Sequence, residues 1–314
     1  MELLALCWVL LAGTLLSTSG SSSALREGDL DPITVPMDMA PHSFDDQYEG
    51  CGHMMWGELQ KVNYTEFTQN YVYANGWRKA AAVWQKSWGH LSHPPQLRRE
   101  QAIAVLAYTA AGKLYQQLNA ATRRGGRSHQ YYCLYFHFKT LHFLLTKALQ
   151  ALRVSQPYCY NVYRGVGGIR FTAQRGMAVA VRFGQFTSTS LNKEVANQFG
   201  RDTFFEMKTC HGVPIKQLSF FEYEDEVLIP PFEVFEITNF SIVNGRNQIH
   251  LKSKEKKSNH NCELLKRLCG QWGQGHLEVG LGLSPGPALH SLGCSNCSWW
   301  GSGHREGDPI PAAL

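Results

Sequence analysis

The leading apolar stretch of this sequence, residues 3–16, stops short of the roughly 20 residues a membrane-spanning helix needs. Charge of one sign is also scarce. With 30 Lys and Arg against 25 Asp and Glu, the net charge is +5, too mild for a nucleic-acid footprint. No glycine cluster has the spacing and following helix of a dinucleotide fingerprint. The histidines show no ligand spacing; His137 and His142, on one apparent helix, read as structural. Residues 301–314 are polar and proline-containing, not the hydrophobic tail of a lipid-anchor signal. No internal repeat is evident. These absences argue against nucleic-acid-binding, metal-dependent and repeat-array readings, and predict no membrane anchor.

What is present is an ordinary globular composition, 44% hydrophobic and 18% charged, on a chain that can bury a sizeable core. The apolar stretch runs into small residues at 17–24, where a signal peptidase could cut, although Glu2 stands where a basic residue is usual. Removing that segment takes Cys7 and leaves Cys51, Cys133, Cys159, Cys210, Cys262, Cys269, Cys294 and Cys297. An even number in a secreted chain predicts disulfides, whose connectivity the spacing does not give. Acceptor sequons begin at Asn63, Asn239 and Asn296. Cys294 and Cys297 have the spacing of half a metal site, but in a loose tail a short-range disulfide or unpaired thiols fit better.

From about residue 58 to 153 the pattern is helical. Ile103, Leu106, Ala107, Ala110 and Leu114 share a face within 97–118, as do Leu141, Leu144, Leu145, Ala148 and Leu152 within 138–152. From 162 onward the runs shorten to strand length, at 161–164, 180–183, 203–209, 215–221, 226–230, 232–240 and 248–252, with a short helix at 192–199. Helices first and strands afterwards predict an α+β fold, a helical part packed on an antiparallel-rich sheet assembly. The expected organisation is a signal peptide at 1–23, a lead-in at 24–45, a catalytic domain at 46–269, and a flexible Gly/Ser/Pro-rich tail at 270–314.

Three places in the strand-rich half carry chemistry. At Tyr163-Arg164-Gly165-Val166-Gly167-Gly168, an arginine at a strand end precedes glycines that let a ligand approach the backbone. Its guanidinium can pair two phosphate oxygens at once. Alone, this would be a surface arginine before a turn. At Thr187-Ser188-Thr189-Ser190, the hydroxyls are either an exposed edge, with Ser190 or Asn192 capping the next helix, or positioning groups in a cleft. At Glu224-Asp225-Glu226, a strand would put both glutamates on one face with Cα atoms roughly 6–7 Å apart. Like charges so placed repel unless a cation lies beside them. The apolar strand that follows, and Phe220, Phe221 and Tyr223 just upstream, favour a site over an acidic turn.

The order Arg164, then Ser188-Thr189-Ser190, then Glu224-Asp225-Glu226 resembles the arginine-specific mono-ADP-ribosyltransferases of vertebrates, relatives of clostridial and cholera-like toxins. The resemblance covers about residues 44–262. It implies a two-sheet NAD-binding core, NAD or NADP as co-substrate with no permanently bound cofactor and no metal, and arginine-bearing protein acceptors. It implies that Arg164 holds an NAD phosphate, that Ser188 orients the dinucleotide near the nicotinamide ribose, and that Glu226 is the catalytic carboxylate. Glu224 would confer the preference for arginine. Tyr108, Gln185 and Ser219 would line the NAD pocket, with Phe199 an aromatic wall for nicotinamide. The family cysteines imply Cys51–Cys262 and Cys159–Cys210 bridges. Many relatives carry a lipid-anchor signal, and this chain departs from them there; secretion is expected, with storage in granules one route.

The chemistry suits those roles. Breaking the nicotinamide–ribose bond builds an oxocarbenium-like charge that a nearby carboxylate stabilises. The acceptor guanidinium is protonated at neutral pH, so it must be aligned and must lose a proton during attack. The same residues would serve an NAD glycohydrolase, in which water replaces arginine. An inactive secreted binding module has no chemical need for Arg164, Ser188 and Glu226 together.

Overall fold

The computed structural model describes residues 31–88, 97–173 and 179–266. The expected signal peptide, the tail at 270–314, Cys269, Cys294, Cys297 and the Asn296 sequon lie outside the described residues. Strand β1 (Ile33–Pro36) precedes six helices: α1 (Gly52–Gln69), α2 (Tyr71–Trp88), α3 (Arg99–Thr109), α4 (Leu114–Gly125), α5 (His129–Tyr135) and α6 (Lys139–Ser155). Strands β2 (Tyr160–Val166), β3 (Ile169–Thr172), β4 (Ala180–Val181) and β5 (Thr187–Ser190) follow. After helix α7 (Lys193–Asn197) come β6 (Thr203–Thr209), β7 (Val213–Pro214), β8 (Glu226–Ile229), β9 (Glu233–Val243) and β10 (Arg246–Lys256).

The helical layer holds the first core. Residues 102–109 of α3 are buried all round, as a central helix requires. The expected continuous helix over 97–118 is broken instead. Ala110 is extended and Gly112 has φ +145°, so the chain turns before α4 restarts at Leu114. On α6, Leu141, Leu144, Leu145, Ala148 and Leu152 are all buried, as their spacing predicts. The Glu66 carboxylate of α1 accepts from the backbone N–H of Lys139 and Thr140 at 2.6 and 2.9 Å, so one helix caps the start of another.

The strands form a parallel pair, β1–β3, and a mixed sheet in the order β4-β9-β10-β6-β2-β5-β8-β7. Among the described residues, its one parallel pairing is β6 with β10. The long β9–β10 hairpin turns at Asn244-Gly245, both with positive φ, the geometry that matches strand twist. β2 pairs with β6 along seven residues but with β5 through Tyr163↔Ser190 alone. The larger sheet therefore divides there into a five-strand half and the three-strand half β5-β8-β7. This division matches the two-sheet core that the family resemblance implies. Along β8, Leu228 enters the helical core while Val227 and Ile229 enter the sheet core. Residue 226, two before Leu228, thus faces the helices.

The expected strand at 215–221 does not form. A 3-10 turn spans Lys216–Leu218, and only Val213–Pro214 pairs with β8. Ile215 and Leu218, three apart, both bury into the helical core, a helical period rather than a strand's.

Two disulfides join Cys51 to Cys262 and Cys159 to Cys210, the pairing implied by the family resemblance. Cys133 is disulfide-bonded as well. A buried carboxylate makes a further tie. Asp45 accepts from Arg182 Nη1 at 2.6 Å and from the backbone of Asn259 and His260 at 2.8 and 3.0 Å. The lead-in, the end of β4 and the chain after β10 converge on it. Burial raises the Asp45 pKa, but hydrogen bonds from His260, Arg182 and Asn259 outweigh it and hold it below the ordinary value.

Gly165 shows why a glycine stands inside β2. A Cβ there would lie 2.2 Å from the Ala196 carbonyl oxygen of α7 and 2.9 Å from that of Gly200. Gly165→Ala should therefore lower stability by about 1–3 kcal/mol through overpacking. Gly57→Ala, on the exposed face of α1 where a Cβ meets nothing within 4 Å, should stabilise by about 0.4–1 kcal/mol. Urea midpoints of the two variants check the pair. A neutral Gly165→Ala would mean that α7 can lift off β2 without cost.

Candidate active site

The hydroxyl run on β5 divides its labour. Thr189 Oγ1 donates to the Val227 carbonyl at 2.7 Å, stapling β5 to β8. Ser190 Oγ donates to the Glu224 carbonyl at 2.6 Å and accepts from the Asn192 N–H at 2.9 Å. Asn192 caps α7, accepting from the N–H groups of Glu194 and Val195. Both readings of the run hold at once, on different residues. Ser188 is the hydroxyl that faces the cleft, which it lines together with Tyr108 and Glu226.

The two glutamates do not share a strand face. Glu224 ends a 3-10 turn (Glu222–Glu224), Asp225 is left-handed at φ 44°, ψ 49°, and Glu226 opens β8. The turn breaks the period-two spacing, yet it brings both side chains into the same cleft. Asp225 points away to an exposed ion pair with Lys216 at 2.6 Å. Removal from water pushes Glu226 up to about 7, and repulsion from Glu224 adds to it. Hydrogen bonds from Ser188 and Ser219, and the charge of Arg164, pull the other way. Glu224 is also pushed up to about 7 by desolvation, with a hydrogen bond from Tyr223 opposing. Near neutral pH, this pair can therefore take up or release a proton.

Arg164 comes from the far side of the divided sheet. Its Nη1 donates to the Ser188 carbonyl at 2.6 Å, across the junction where β2 and β5 share one register pair. Burial lowers its pKa, while Tyr108 and Glu226 act to raise it. Gly165, expected to admit a ligand to the backbone, lines the cleft and also lets α7 pack close. Two adjoining clefts meet at Ser188, Glu224 and Glu226. Tyr108, Tyr115 and Phe221 line one; Arg164, Ala196 and Phe199 line the other. Ser219 Oγ stands 3.5 Å from Glu226 Oε2.

Of the expected pocket residues, Gln185 and Ser219 line neither cleft: Ser219 stands behind Glu226, and the Gln185 amide oxygen accepts from Arg123. Phe221, one of the aromatics that mark this stretch in the sequence, lines the cleft, whereas the sequence offers no sign of Tyr115 or Asn119, which join the site through tertiary packing alone. Asn119 Nδ2 donates to the Tyr108 hydroxyl at 3.1 Å. His142 is structural: Tyr48 Oη lies 2.7 Å from Nδ1 and the Phe44 carbonyl 3.1 Å from Nε2, and burial takes its pKa to about 3. Among the described residues, no group of three or more His, Cys, Asp and Glu is placed to hold a metal ion.

Comparison with known proteins bears on what such a site does. A family model described as NAD:arginine ADP-ribosyltransferase matches residues 37–259. The chain is 74% identical over 314 residues to NAD(P)(+)--arginine ADP-ribosyltransferase 2 of Gallus gallus, covering all of both chains. It is 44% identical over 295 residues to GPI-linked NAD(P)(+)--arginine ADP-ribosyltransferase 1 of Homo sapiens, covering 89% of this chain and 90% of that one. The crystal structure of the eucaryotic mono-ADP-ribosyltransferase ART2.2 superposes with a TM-score of 0.63 at 37% identity, covering 74% of this chain and 99% of that chain. A mutant of that enzyme has been solved in complex with NAD.

The raised Glu226 pKa links stability to pH with a definite sign. The folded state holds the proton more tightly than the unfolded chain, so this contribution is full below the ordinary pKa of 4.5 and is lost as pH rises through about 7. Glu226→Gln removes the buried charge at nearly constant volume. The variant should exceed the parent by up to roughly 3 kcal/mol at alkaline pH, and the gap should close on acidification below about pH 5. Denaturant titrations at the two pH values measure it. An equal gap at both would show that Glu226 is not held neutral by burial.

Proposed function

The chain belongs to the NAD:arginine ADP-ribosyltransferase family and transfers ADP-ribose from NAD to arginine side chains, releasing nicotinamide; from that premise we propose which of its residues carry each step. Glu226 is the catalytic carboxylate. The observation that supports this most is its burial at the meeting point of the two clefts, beside Ser188 and with Ser219 Oγ on its carboxylate. There it takes a ribose hydroxyl and stabilises positive charge as the bond from the ribose anomeric carbon to the nicotinamide nitrogen breaks. The electron pair leaves with nicotinamide, which departs neutral from a cationic nitrogen. Arg164 pairs an NAD phosphate with its planar fork, and Ser188 orients the nicotinamide ribose. Phe199 forms an aromatic wall for nicotinamide, and Tyr108 and Ser219 complete the pocket. Gln185, turned to Arg123, has the weakest support for NAD contact.

Glu224 selects the acceptor. It is half-exposed beside Phe221 and Tyr223, within reach of an incoming side chain. The guanidinium nitrogen forms the new bond to the anomeric carbon, and its proton passes to a carboxylate whose pKa near 7 suits that task.

We further assign residues 46–269 as the catalytic domain and residues 1–23 as a removed signal peptide. Disulfides at Cys51–Cys262 and Cys159–Cys210 support maturation in an oxidising compartment. Among the described residues, no helix is long and apolar enough to cross a membrane. Release as a soluble secreted protein is the outcome we expect in animal cells. A product held on the cell surface until phospholipase treatment would instead indicate an anchored form, as the human relative's name describes for that protein.

Two substitutions separate the roles. Glu226→Gln should abolish nicotinamide release and acceptor labelling together. Glu224→Gln should leave nicotinamide release to water while labelling of agmatine falls roughly a hundredfold or more, the loss expected for one charge-assisted contact in the transition state. Labelled NAD with agmatine, followed for both products, reads the two at once. A Glu226→Gln enzyme with near-normal turnover, or a Glu224→Gln enzyme losing both activities equally, would overturn the respective assignment.

A further inference from the structure

The turn that carries Glu224 is tied firmly at both ends and by a single bond at its apex. At one end the Ile215 N–H donates to the Glu226 carbonyl at 2.9 Å. At the other, the Glu224 carbonyl accepts from Ser190 Oγ at 2.6 Å, and the Asp225 carbonyl accepts from the Leu191 N–H at 3.1 Å. Phe220, Phe221, Glu222 and Tyr223 form the apex between these ties. Their bonds within the turn are local: the Phe221 N–H donates to Ser219 Oγ at 3.1 Å, and the Phe221 carbonyl accepts from the Glu224 N–H at 3.0 Å. Among the described residues, one hydrogen bond joins the apex to another element. The Phe220 N–H donates to Thr109 Oγ1 at 3.3 Å, across 111 positions of sequence.

Thr109 ends α3, is 8% exposed, and donates its hydroxyl proton to the Leu106 carbonyl at 3.0 Å. A hydroxyl has one proton. With that proton committed to its own helix, Thr109 meets the turn as an acceptor only. Although it borders the cleft, it has no donor left to offer a ligand. The acceptor is also rigidly mounted, because α3 is buried all round over residues 102–109. The apex has no such support: Tyr223 is 66% and Phe220 37% exposed. A segment with so little buried apolar surface opens easily unless something ties it down.

We propose that Thr109 is a positioning residue for the arginine acceptor: its hydroxyl oxygen pins the apex of the turn to α3, and so holds the Phe221 wall and the Glu224 carboxylate in place. The proposal rests on Glu224 being the acceptor selector. With the tie made, the acceptor meets a turn already in its binding shape. Without it, the apex samples positions off α3, and only a fraction of the molecules are competent to bind. Apparent affinity for the acceptor falls by that fraction. Once the acceptor is bound the turn is in place, so the rate at saturation is kept. Attack by water needs no acceptor and is spared.

Thr109→Val keeps the shape of the side chain and removes its oxygen. Labelled NAD is followed with agmatine as acceptor and, separately, with water alone, and kcat and KM are read for each. The KM for agmatine should rise about fivefold, the effect of losing one neutral hydrogen bond. The kcat at saturating agmatine, and the KM for NAD in hydrolysis, should each stay within about twofold of the parent. Thr109→Ser restores the oxygen without the methyl group and should bring the agmatine KM back. Should Thr109→Val fail to fold, Thr109→Ala removes the same oxygen and carries the test. An unmoved agmatine KM, or no rescue by serine, would overturn the proposal. So would equal losses in transfer and hydrolysis, which a merely structural role would give, or a raised KM for NAD, which would put Thr109 against the dinucleotide. A Glu224→Gln enzyme that loses hydrolysis along with transfer would instead remove the premise, whatever Thr109 does.

Discussion

The guanidinium of Arg164 bridges a gap that the backbone leaves open. β2 and β5 are neighbours in the sheet order yet share one register pair, and the Arg164–Ser188 hydrogen bond spans the same junction. A fully paired junction would bury Ser188 in a continuous sheet. A junction with no tie would let the three-strand half drift from the five-strand half. Charge-assisted bonding to a carbonyl holds the halves together while leaving room between them. Everything that makes the site depends on that separation, because Arg164, Ser188 and Glu226 come from three strands on its two sides.

The same separation creates an electrostatic debt. Glu226 is buried and Glu224 stands in the same cleft, so two carboxylates compete for little water and one nearby guanidinium. A fold optimised for stability alone would not keep them. The helical layer carries the cost, with α3 buried all round and α6 capped by Glu66. The Asp45 hub and the two described disulfides close the chain around it. Asp45 shows the contrast. It is as buried as Glu226, but its donors outweigh desolvation, and its charge is a fixed structural element. In Glu226 desolvation wins, and the proton stays exchangeable.

A hydrophobic period tells which residues are buried but is blind to chain reversal. The α6 stripe and the strand run at β6 follow the sequence closely, since each buries a face along its whole length, whereas β9 and β10 bury only their first parts and run on past the expected ends. At 97–118 the stripe is right and the single helix is wrong, because Gly112 reverses the chain while both pieces still face the same core. At 215–221 apolar density suggested a strand, and the partner edge on β8 extends only to Val213–Pro214. The Asn244-Gly245 turn is by contrast a purely local signal, since both residues adopt the positive φ that this pair favours.

The sequence by itself determined the identity of the chemistry. Arg164, the hydroxyl run and Glu224-Asp225-Glu226 are local strings whose order carries family membership, and the cysteine pairing came with that resemblance. Tertiary structure decided how those strings cooperate. It placed Glu224 and Glu226 together through a left-handed Asp225 rather than a strand face, packed α7 against Gly165, and turned Gln185 toward Arg123. It also brought Tyr108 into the cleft with Ser188 and set Asn119 against it. The reason is the range of the forces involved. Residue type and spacing fix what a side chain can donate, accept or ionise. Desolvation and hydrogen-bond direction depend on neighbours distant in sequence, and only the packed chain supplies those.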